Sequence, residues 1–310
     1  MTFRDATAVR PLTADTYAID LSNDWCIGSV PNGGYVASVL LSVVKAHFRG
    51  PLAYLDQPDS MSVQLQYLRR TRPGPGVVSV EHLKLGGGLS TVQVTLSQGD
   101  RREVQGYVVQ TNFAKQTGLS LPTSWVKSTT TPAPPPIDFA AVEEAGEDAN
   151  WLVDLDPPKS SFRKATRHVL FYHPKQKSDL SIVDQWLRFR PGGPGNAVVP
   201  FPQEALGFVV DIFPHMAEFF PQVDRGTRWY PTVALNLDVK RNLPPEGADW
   251  LFVRVRAGEI RNGRMDLQII VLDRAGNLVA ISSHVSLIMS SERNTAKSRQ
   301  GVDGGAGGRL

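Results

Sequence analysis

The chain repeats itself, and this internal repeat limits the folds available to it more than any other feature. Each half carries one strongly apolar helix candidate, at residues 35–48 and 204–220, followed by strand candidates separated by Pro- and Gly-rich turns. A repeated order of elements indicates two copies of one structural unit. The 310 residues are enough for two domains of ordinary size.

The helix candidates are apolar around most of their circumference. In the first, Val36, Val39, Leu40, Val43 and Val44 leave little room for a solvent-facing side. Such a helix needs protein on most sides. A curved antiparallel sheet wrapped around a central helix meets this need, because strand candidates follow each helix directly. We therefore predict an α+β fold built from two such units.

Composition divides the chain into four segments. Residues 13–113 form the first repeat and residues 161–290 the second. Residues 114–160 contain a stretch rich in Ser, Thr and Pro, which predicts a linker. Residues 291–310 are rich in Gly and poor in apolar side chains, which predicts a disordered tail.

Charge and composition argue against several classes of function. A formal net charge of +3 is small for a nucleic-acid binder, and no apolar run is long enough to cross a membrane. The single cysteine, Cys26, cannot form an internal disulfide, which agrees with a reducing compartment. His168 and His173 lack a metal-binding pattern. We expect a cytoplasmic protein without metal, nucleic-acid or membrane partners. The C-terminal Gly-Arg-Leu resembles a peroxisomal address only weakly.

Three phrases carry a resemblance to a known family. They are residues 25–35 (WCIGSVPNGGY), 183–190 (VDQWLRFR) and 276–280 (GNLVA). Their order and spacing resemble the double-hotdog, acyl-CoA thioesterase II-like family. The resemblance implies tandem hotdog domains, each a curved antiparallel sheet around a long central helix, which form an intrachain pseudo-dimer. It also implies hydrolysis of acyl-CoA or another acyl thioester without a cofactor, and a possible homo-oligomer.

The resemblance also places a catalytic set on this chain. The family uses an Asp, a Thr or Ser, and a Gln to hold and polarise the attacking water. Those positions fall on Asn236, near Gly258, and on His284. All three differ from the family pattern, so we expect a changed catalytic set.

Thioester hydrolysis also needs hydrogen-bond donors for the developing oxyanion. Asn32, Gly33 and Gly34 precede the first helix, where free backbone N–H groups and the helix dipole favour negative charge. With the following Tyr35, they are candidate substrate-binding residues. The tetrapeptide Pro31-Asn32-Gly33-Gly34 is equally typical of a tight turn in which the Asn caps the helix.

The attacking water needs a base. His284 can act as a base near neutral pH, and Ser282 shares its strand face. Asn236 can orient a water, and Asp238 lies about 7 Å further along the same face. Two of these residues also have a purely structural interpretation. His284 is equally typical of a structural histidine whose hydrogen bonds are satisfied, and Asp238 of a solvated charge beside Lys240 and Arg241.

Two further polar residues are notable. Gln66, on the first-half strand that corresponds to the strand of Asn236, is a candidate substrate contact. Asp211 is unusual on so apolar a segment, and it could face a shared cleft or bond a backbone group near Pro214. Pro214 should kink the second helix or mark its first turn.

Three functions remain open from the sequence. The first is a thioesterase-like hydrolase of acyl-CoA or carrier-bound acyl groups. The second is a non-hydrolytic enzyme on the same scaffold, which dehydrates, isomerises or cyclises a polyketide-like substrate. The third is a catalytically inactive acyl-binding protein. Fold alone does not separate them, because the chemistry lies in the site.

Overall fold

The structure is a computed structural model that describes residues 1–121, 133–157, 159–177, 179–191, 199–223 and 228–295. Its helices are α1 (Phe3–Ala6), α2 (Gly33–Arg49), α3 (Phe139–Ala145), α4 (Leu206–Val209) and α5 (Glu292–Thr295). The strands of the first half are β1 (Val9–Pro11), β2 (Thr16–Leu21), β3 (Cys26–Ile27), β4 (Val30–Pro31), β5 (Asp59–Tyr67), β6 (Gly74–Lys84), β7 (Ser90–Gln98) and β8 (Arg101–Thr111). The later strands are β9 (Trp151–Asp154), β10 (Val169–Pro174), β11 (Ile182–Phe189), β12 (Arg228–Trp229), β13 (Thr232–Val239), β14 (Leu251–Arg261), β15 (Arg264–Leu272), β16 (Leu278–Leu287) and β17 (Met289–Ser290).

One antiparallel sheet contains most of these strands. Its order is β1-β2-β6-β7-β8-β5-β13-β16-β15-β14-β11-β10-β9. The order β2-β6-β7-β8-β5 of the first half is mirrored by β11-β14-β15-β16-β13 of the second. The halves meet where β5 pairs with β13, with Gln64 opposite Asn236. The repeat seen in the sequence is therefore a repeat of strand order.

The first predicted helix is present as α2. Asn32 caps it, because its side-chain oxygen accepts the N–H of Tyr35 at 2.9 Å. The helix is buried on nearly every side, as its composition requires. It packs against α4, where the Ser38 hydroxyl accepts the N–H of Phe208 at 2.9 Å.

The prediction of a long second helix is wrong. A 3-10 turn at Gln203–Ala205 leads into the single turn α4, and a further 3-10 turn follows only at Met216–Phe219. Pro214 has no N–H to donate and disfavours helix at the residue before it. The described residues of the second half therefore contain no long central helix of the kind that the resemblance implies.

The predicted linker is also partly regular. Asp138 caps α3, and Trp151 at the start of β9 is fully buried. These elements cover an outward-facing aromatic cluster of the second half, which includes Tyr172, Trp186 and Trp250. Exposed apolar side chains of this size need cover, and the linker supplies it.

The predicted tail begins with an ordered turn. In α5, the buried Asn294 donates to the Ile27 carbonyl at 2.9 Å and accepts the N–H of Ser29 at 2.9 Å. Residues 296–310, including the C-terminal Gly-Arg-Leu, lie outside the described residues. Among the helices described, none has the length and apolar character needed to cross a membrane.

Candidate active site

Asp211 lies at the centre of a polar cluster where the two halves meet. It is the second residue after α4, in the segment where the helix stops. Its Oδ2 accepts the Gly34 N–H at 2.7 Å and Asn32 Nδ2 at 3.1 Å, and its Oδ1 accepts the Thr232 hydroxyl at 3.1 Å. These three donors hold the carboxylate in one orientation.

His284 lies directly behind Asp211. Its Nδ1 is 3.5 Å from Asp211 Oδ1, and its side chain is fully buried. Its Nε2 is 3.0 Å from the Ser282 hydroxyl, which itself donates to the carbonyl of Asn236. Because a hydroxyl has one proton, Nε2 must donate to Ser282. Nδ1 is then a buried nitrogen that faces the carboxylate and has no hydrogen-bond partner among the described residues.

Gly33 and Gly34 allow the cluster to assemble. A Cβ on Gly34 would lie 2.4 Å from the Gly207 carbonyl oxygen and 2.5 Å from Asp211 Cβ, and a Cβ on Gly33 would lie 3.0 Å from Asp211 Oδ2. The glycines therefore admit α4 and Asp211 to the start of α2. The Gly34 N–H, predicted as an oxyanion donor, is occupied by Asp211. The Gly33 N–H forms no hydrogen bond to another described residue.

A cavity of about 340 Å³ opens beside Asp211. Both halves contribute to its walls. The first half supplies polar groups at the start of α2 and the end of β5, and the second half supplies Asp211 with apolar side chains such as Met265 and Leu267. Besides Asp211, the polar side chains on the walls are Asn32, Tyr67, Arg69, Arg70, Thr71, Arg163, His215, Trp229, Tyr230, Thr232 and Ser286. The cavity therefore combines an apolar slot with a carboxylate.

Burial determines the protonation states of two residues on the cavity wall, Tyr67 and His215. Burial, and then Asp211, raise the pKa of Tyr67 well above its usual value, so its hydroxyl stays protonated and donates to the Gly33 carbonyl at 2.6 Å. Burial, and then Arg163, lower the pKa of His215 well below 6.5. His215 is therefore neutral near pH 7, and its ring stacks on Tyr230 at 3.9 Å between centroids.

The structure does not bring all predicted catalytic residues together. Asn236 and Asp238 share a face of β13, but that face is exposed. Asn236 donates to Ser283 at 3.3 Å, and Asp238 accepts from Ser62 at 2.9 Å across the junction of the halves. Leu235, Leu237 and Val239 take the inner face instead. Alternation along β13 predicts which residues share a face, and the apolar residues identify the face that points inward.

Three predicted substrate contacts also lie elsewhere. Gln66 is exposed on the outer face of β5. Tyr35 is fully buried, and its hydroxyl donates to the Ala6 carbonyl at 2.6 Å, away from the cavity. Gly258 is exposed and lines a different cavity with Ala217. By contrast, the other predicted residues belong to the Asp211 cluster or contact a member of it. They are Asn32, Gly33, Gly34, Ser282 and His284.

Two residues of the site, Thr232 and Tyr67, are not among those predicted from the sequence. Thr232 has the same parity as Asn236, but a bulge between Thr232 and Ala234 turns its hydroxyl inward to Asp211. Nothing in the local sequence marks that bulge. Tyr67 follows Val63 and Leu65 on the apolar face of β5, so its inward position could have been predicted by alternation.

Comparisons with known proteins agree with the architecture. Residues 21–111 match the family model of the acyl-CoA thioesterase N-terminal domain, and residues 124–288 match that of the acyl-CoA thioesterase C-terminal domain. The thioesterase-like protein TwmA of Talaromyces wortmannii is 33% identical, over 95% of this chain and 94% of the relative.

Solved structures share the fold. A putative thioesterase II from Thermobifida fusca has a TM-score of 0.71 at 21% identity, covering 93% of this chain and 97% of that chain. A conserved protein of unknown function with a hot dog fold from Alicyclobacillus acidocaldarius has a TM-score of 0.70 at 16% identity, covering 93% and 98%. These likenesses show a hotdog architecture.

Proposed function

This chain belongs to the acyl-CoA thioesterase family, and we propose that it hydrolyses acyl-CoA or carrier-bound acyl thioesters with Asp211 as the residue that activates water. The observation that carries the proposal is the Asp211 carboxylate. It lies on the wall of a largely apolar cavity, is fixed by donors from both halves, and has the buried His284 behind it. The exposed Asn236 and Asp238 have no part in this proposal.

The proposed reaction begins with a water molecule beside Asp211. The carboxylate accepts a proton from the water as the water oxygen attacks the thioester carbonyl carbon. The proton on Asp211 Oδ1 then points at His284 Nδ1, which gains the donor that it lacks in the resting site. His284 is thus a positioning residue that favours proton transfer, and Ser282 fixes its ring through Nε2.

The start of α2 serves the oxyanion. The Gly33 N–H lies at the positive end of a 17-residue helix, beside the cavity. It can donate to the carbonyl oxygen as negative charge develops there. Collapse of the tetrahedral intermediate breaks the C–S bond, and the proton held by Asp211 passes to the leaving thiolate. The acid and the free thiol are the products.

Thiol release from a panel of short-, medium- and long-chain acyl-CoAs tests the proposal. We expect turnover by the wild type and a loss of at least about 100-fold in kcat for Asp211→Asn, because the amide cannot accept the proton. Asp238→Asn is the matched control. It removes a carboxylate from the exposed face of β13 and should retain wild-type turnover.

The outcomes separate the candidates. Turnover that survives in Asp211→Asn would remove Asp211 from the mechanism, and loss of turnover in Asp238→Asn would restore the outer face as the site. No thiol release from acyl-CoA or from acyl groups on a phosphopantetheine carrier would rule out hydrolysis by this chain. Substrate conversion or binding would then be followed by mass spectrometry.

A non-hydrolytic reaction is the second candidate, and the pairing of Asp211 with His284 favours it. Asp211 can remove a proton at carbon, hold it facing His284 Nδ1 and return it nearby, as dehydration or isomerisation requires. This reaction changes the acyl group without releasing thiol. An inactive acyl-binding protein would do neither, while still binding the acyl chain in the cavity.

We further propose that the two halves act as an intrachain pseudo-dimer. The mirrored strand order and the pairing of β5 with β13 support this arrangement. So does the cluster itself, because Asp211 from the second half is held by Asn32 and Gly34 from the first. One chain would then contain a complete site.

A further inference from the structure

Arg163 is a buried cation on the wall of the site cavity. The residue is 7% exposed, and its Nη2 donates to the Phe213 carbonyl at 2.7 Å. Its Nε is buried and has no hydrogen-bond partner in the part of the chain that the structure describes. Arg163 also lines an adjoining cavity of about 380 Å³, which shares Phe213 and His215 with the first. The guanidinium therefore stands between two cavities.

No carboxylate among the described residues forms a salt bridge with Arg163. Glu218 is the carboxylate with the largest favourable electrostatic effect on Arg163, ahead of Asp211 and Asp154, but it is paired with Lys159 at 3.1 Å. Asp211 is held by its own donors. Burial lowers the pKa of Arg163 to about 10, so the group is still cationic at neutral pH. A buried charge without a contacting counter-ion is costly, and an anionic ligand in direct contact would reduce that cost.

Tyr230 adds a second donor to the same wall. Its hydroxyl is buried and has no hydrogen-bond partner within the described ranges, and burial raises its pKa, so it keeps its proton. The ring is fixed by stacking on His215. A guanidinium N–H and a phenol O–H on one cavity wall suit a ligand that presents oxygen acceptors and a negative charge.

We propose that Arg163 and Tyr230 bind a carboxylate at the far end of the acyl chain, so that the preferred substrates are ω-carboxyacyl thioesters. The proposal rests on the proposed function, because Asp211 defines where the thioester lies. The acyl chain would cross the apolar part of the cavity, past Met265 and Leu267, and end at the guanidinium.

The phosphates of coenzyme A are the other possible source of an anion. They are separated from the thioester by the pantetheine arm and remain strongly hydrated. The cavity also reaches solvent beside Arg69, which is exposed, whereas Arg163 is buried. The acyl carboxylate is therefore the better match for Arg163. Thioesters of N-acetylcysteamine lack phosphate and distinguish the two sources.

The test compares matched acyl groups on N-acetylcysteamine and on coenzyme A. For each chain length from three to eight carbons, kcat/KM is measured for the ω-carboxy, methyl-terminated and ω-methyl-ester forms. Wild type should prefer the ω-carboxy form at one or more lengths by about 10- to 100-fold. In Arg163→Gln this preference should fall towards one, and in Tyr230→Phe it should fall partly. Arg167→Gln removes an exposed arginine outside both cavities and should keep the preference.

Each outcome bears on the proposal. A preference that persists in Arg163→Gln, or that is absent at every length in wild type, overturns it. If Arg163→Gln changes kcat/KM only with the coenzyme A substrates, Arg163 contacts phosphate, and the proposal is also overturned. Tyr230→Phe removes only a hydroxyl, so it gives an independent reading if Arg163→Gln fails to fold. If no thioester is hydrolysed, calorimetric binding of ω-carboxyalkyl and alkyl thioethers of coenzyme A replaces kcat/KM, and the same ratios decide.

Discussion

At the scale of single residues, the site depends on glycine, which has no side chain. Gly34 permits the contact between α2 and α4, and its N–H holds Asp211. In the sequence, the glycine pair Gly33 and Gly34 predicts N–H groups that donate to the carbonyl of a substrate. The structure instead uses Gly34 to hold the carboxylate of a distant aspartate, which a local motif cannot indicate.

Gly34→Ala should destabilise the protein by about 1–3 kcal/mol or more, because its Cβ would lie 2.4 Å from the Gly207 oxygen. Urea denaturation measures the change in unfolding free energy. Gly87→Ala is the control, since a Cβ there meets nothing within 4 Å and its φ is not positive. Equal stability of the two variants would show that α2 and α4 do not approach as closely as described.

At the scale of elements, alternation and apolar periodicity predicted most of the fold. The strand candidates of both halves and the helix α2 are present, because their patterns reflect burial by immediate neighbours. The break after α4 could be predicted only in part. Pro214 marks it, but Gln185 Nε2 donates to the Ile212 carbonyl at 2.7 Å and Arg163 to that of Phe213. Those partners come from distant sequence, so the geometry around Asp211 was not predictable.

Gln185→Leu tests this support of the broken helix. The variant leaves the buried Ile212 carbonyl without its donor, which should cost about 1–3 kcal/mol of unfolding free energy. Because Ile212 adjoins Asp211, we also expect kcat to fall more than KM changes. Gln268→Leu, on the exposed face of β15, is the control for loss of a glutamine. Unchanged stability and kcat in Gln185→Leu would mean that the segment does not need this hydrogen bond.

At the scale of the whole molecule, several buried or half-buried histidines have lowered pKa values. Burial, and then His82, lower the pKa of His47 to about 4, and burial, and then Lys177, lower that of His173 to about 4. Burial also lowers the pKa of His168. In the unfolded chain these side chains return to a pKa near 6.5. Unfolding therefore takes up protons between pH 4 and pH 6.5.

Stability should accordingly be highest above pH 6.5 and fall as the pH is lowered, since the unfolded state binds more protons in that window. Near pH 5.5, His47 and His173 alone should contribute uptake of about two protons on unfolding. Glu103 and Asp154, whose pKa values burial raises, oppose this trend towards the lower end of the window. The dependence of unfolding free energy on pH, measured in urea at constant ionic strength, gives the uptake directly. His47→Phe should reduce it by about one proton, and a slope unchanged by that substitution would mean that His47 titrates alike in the folded and unfolded chains.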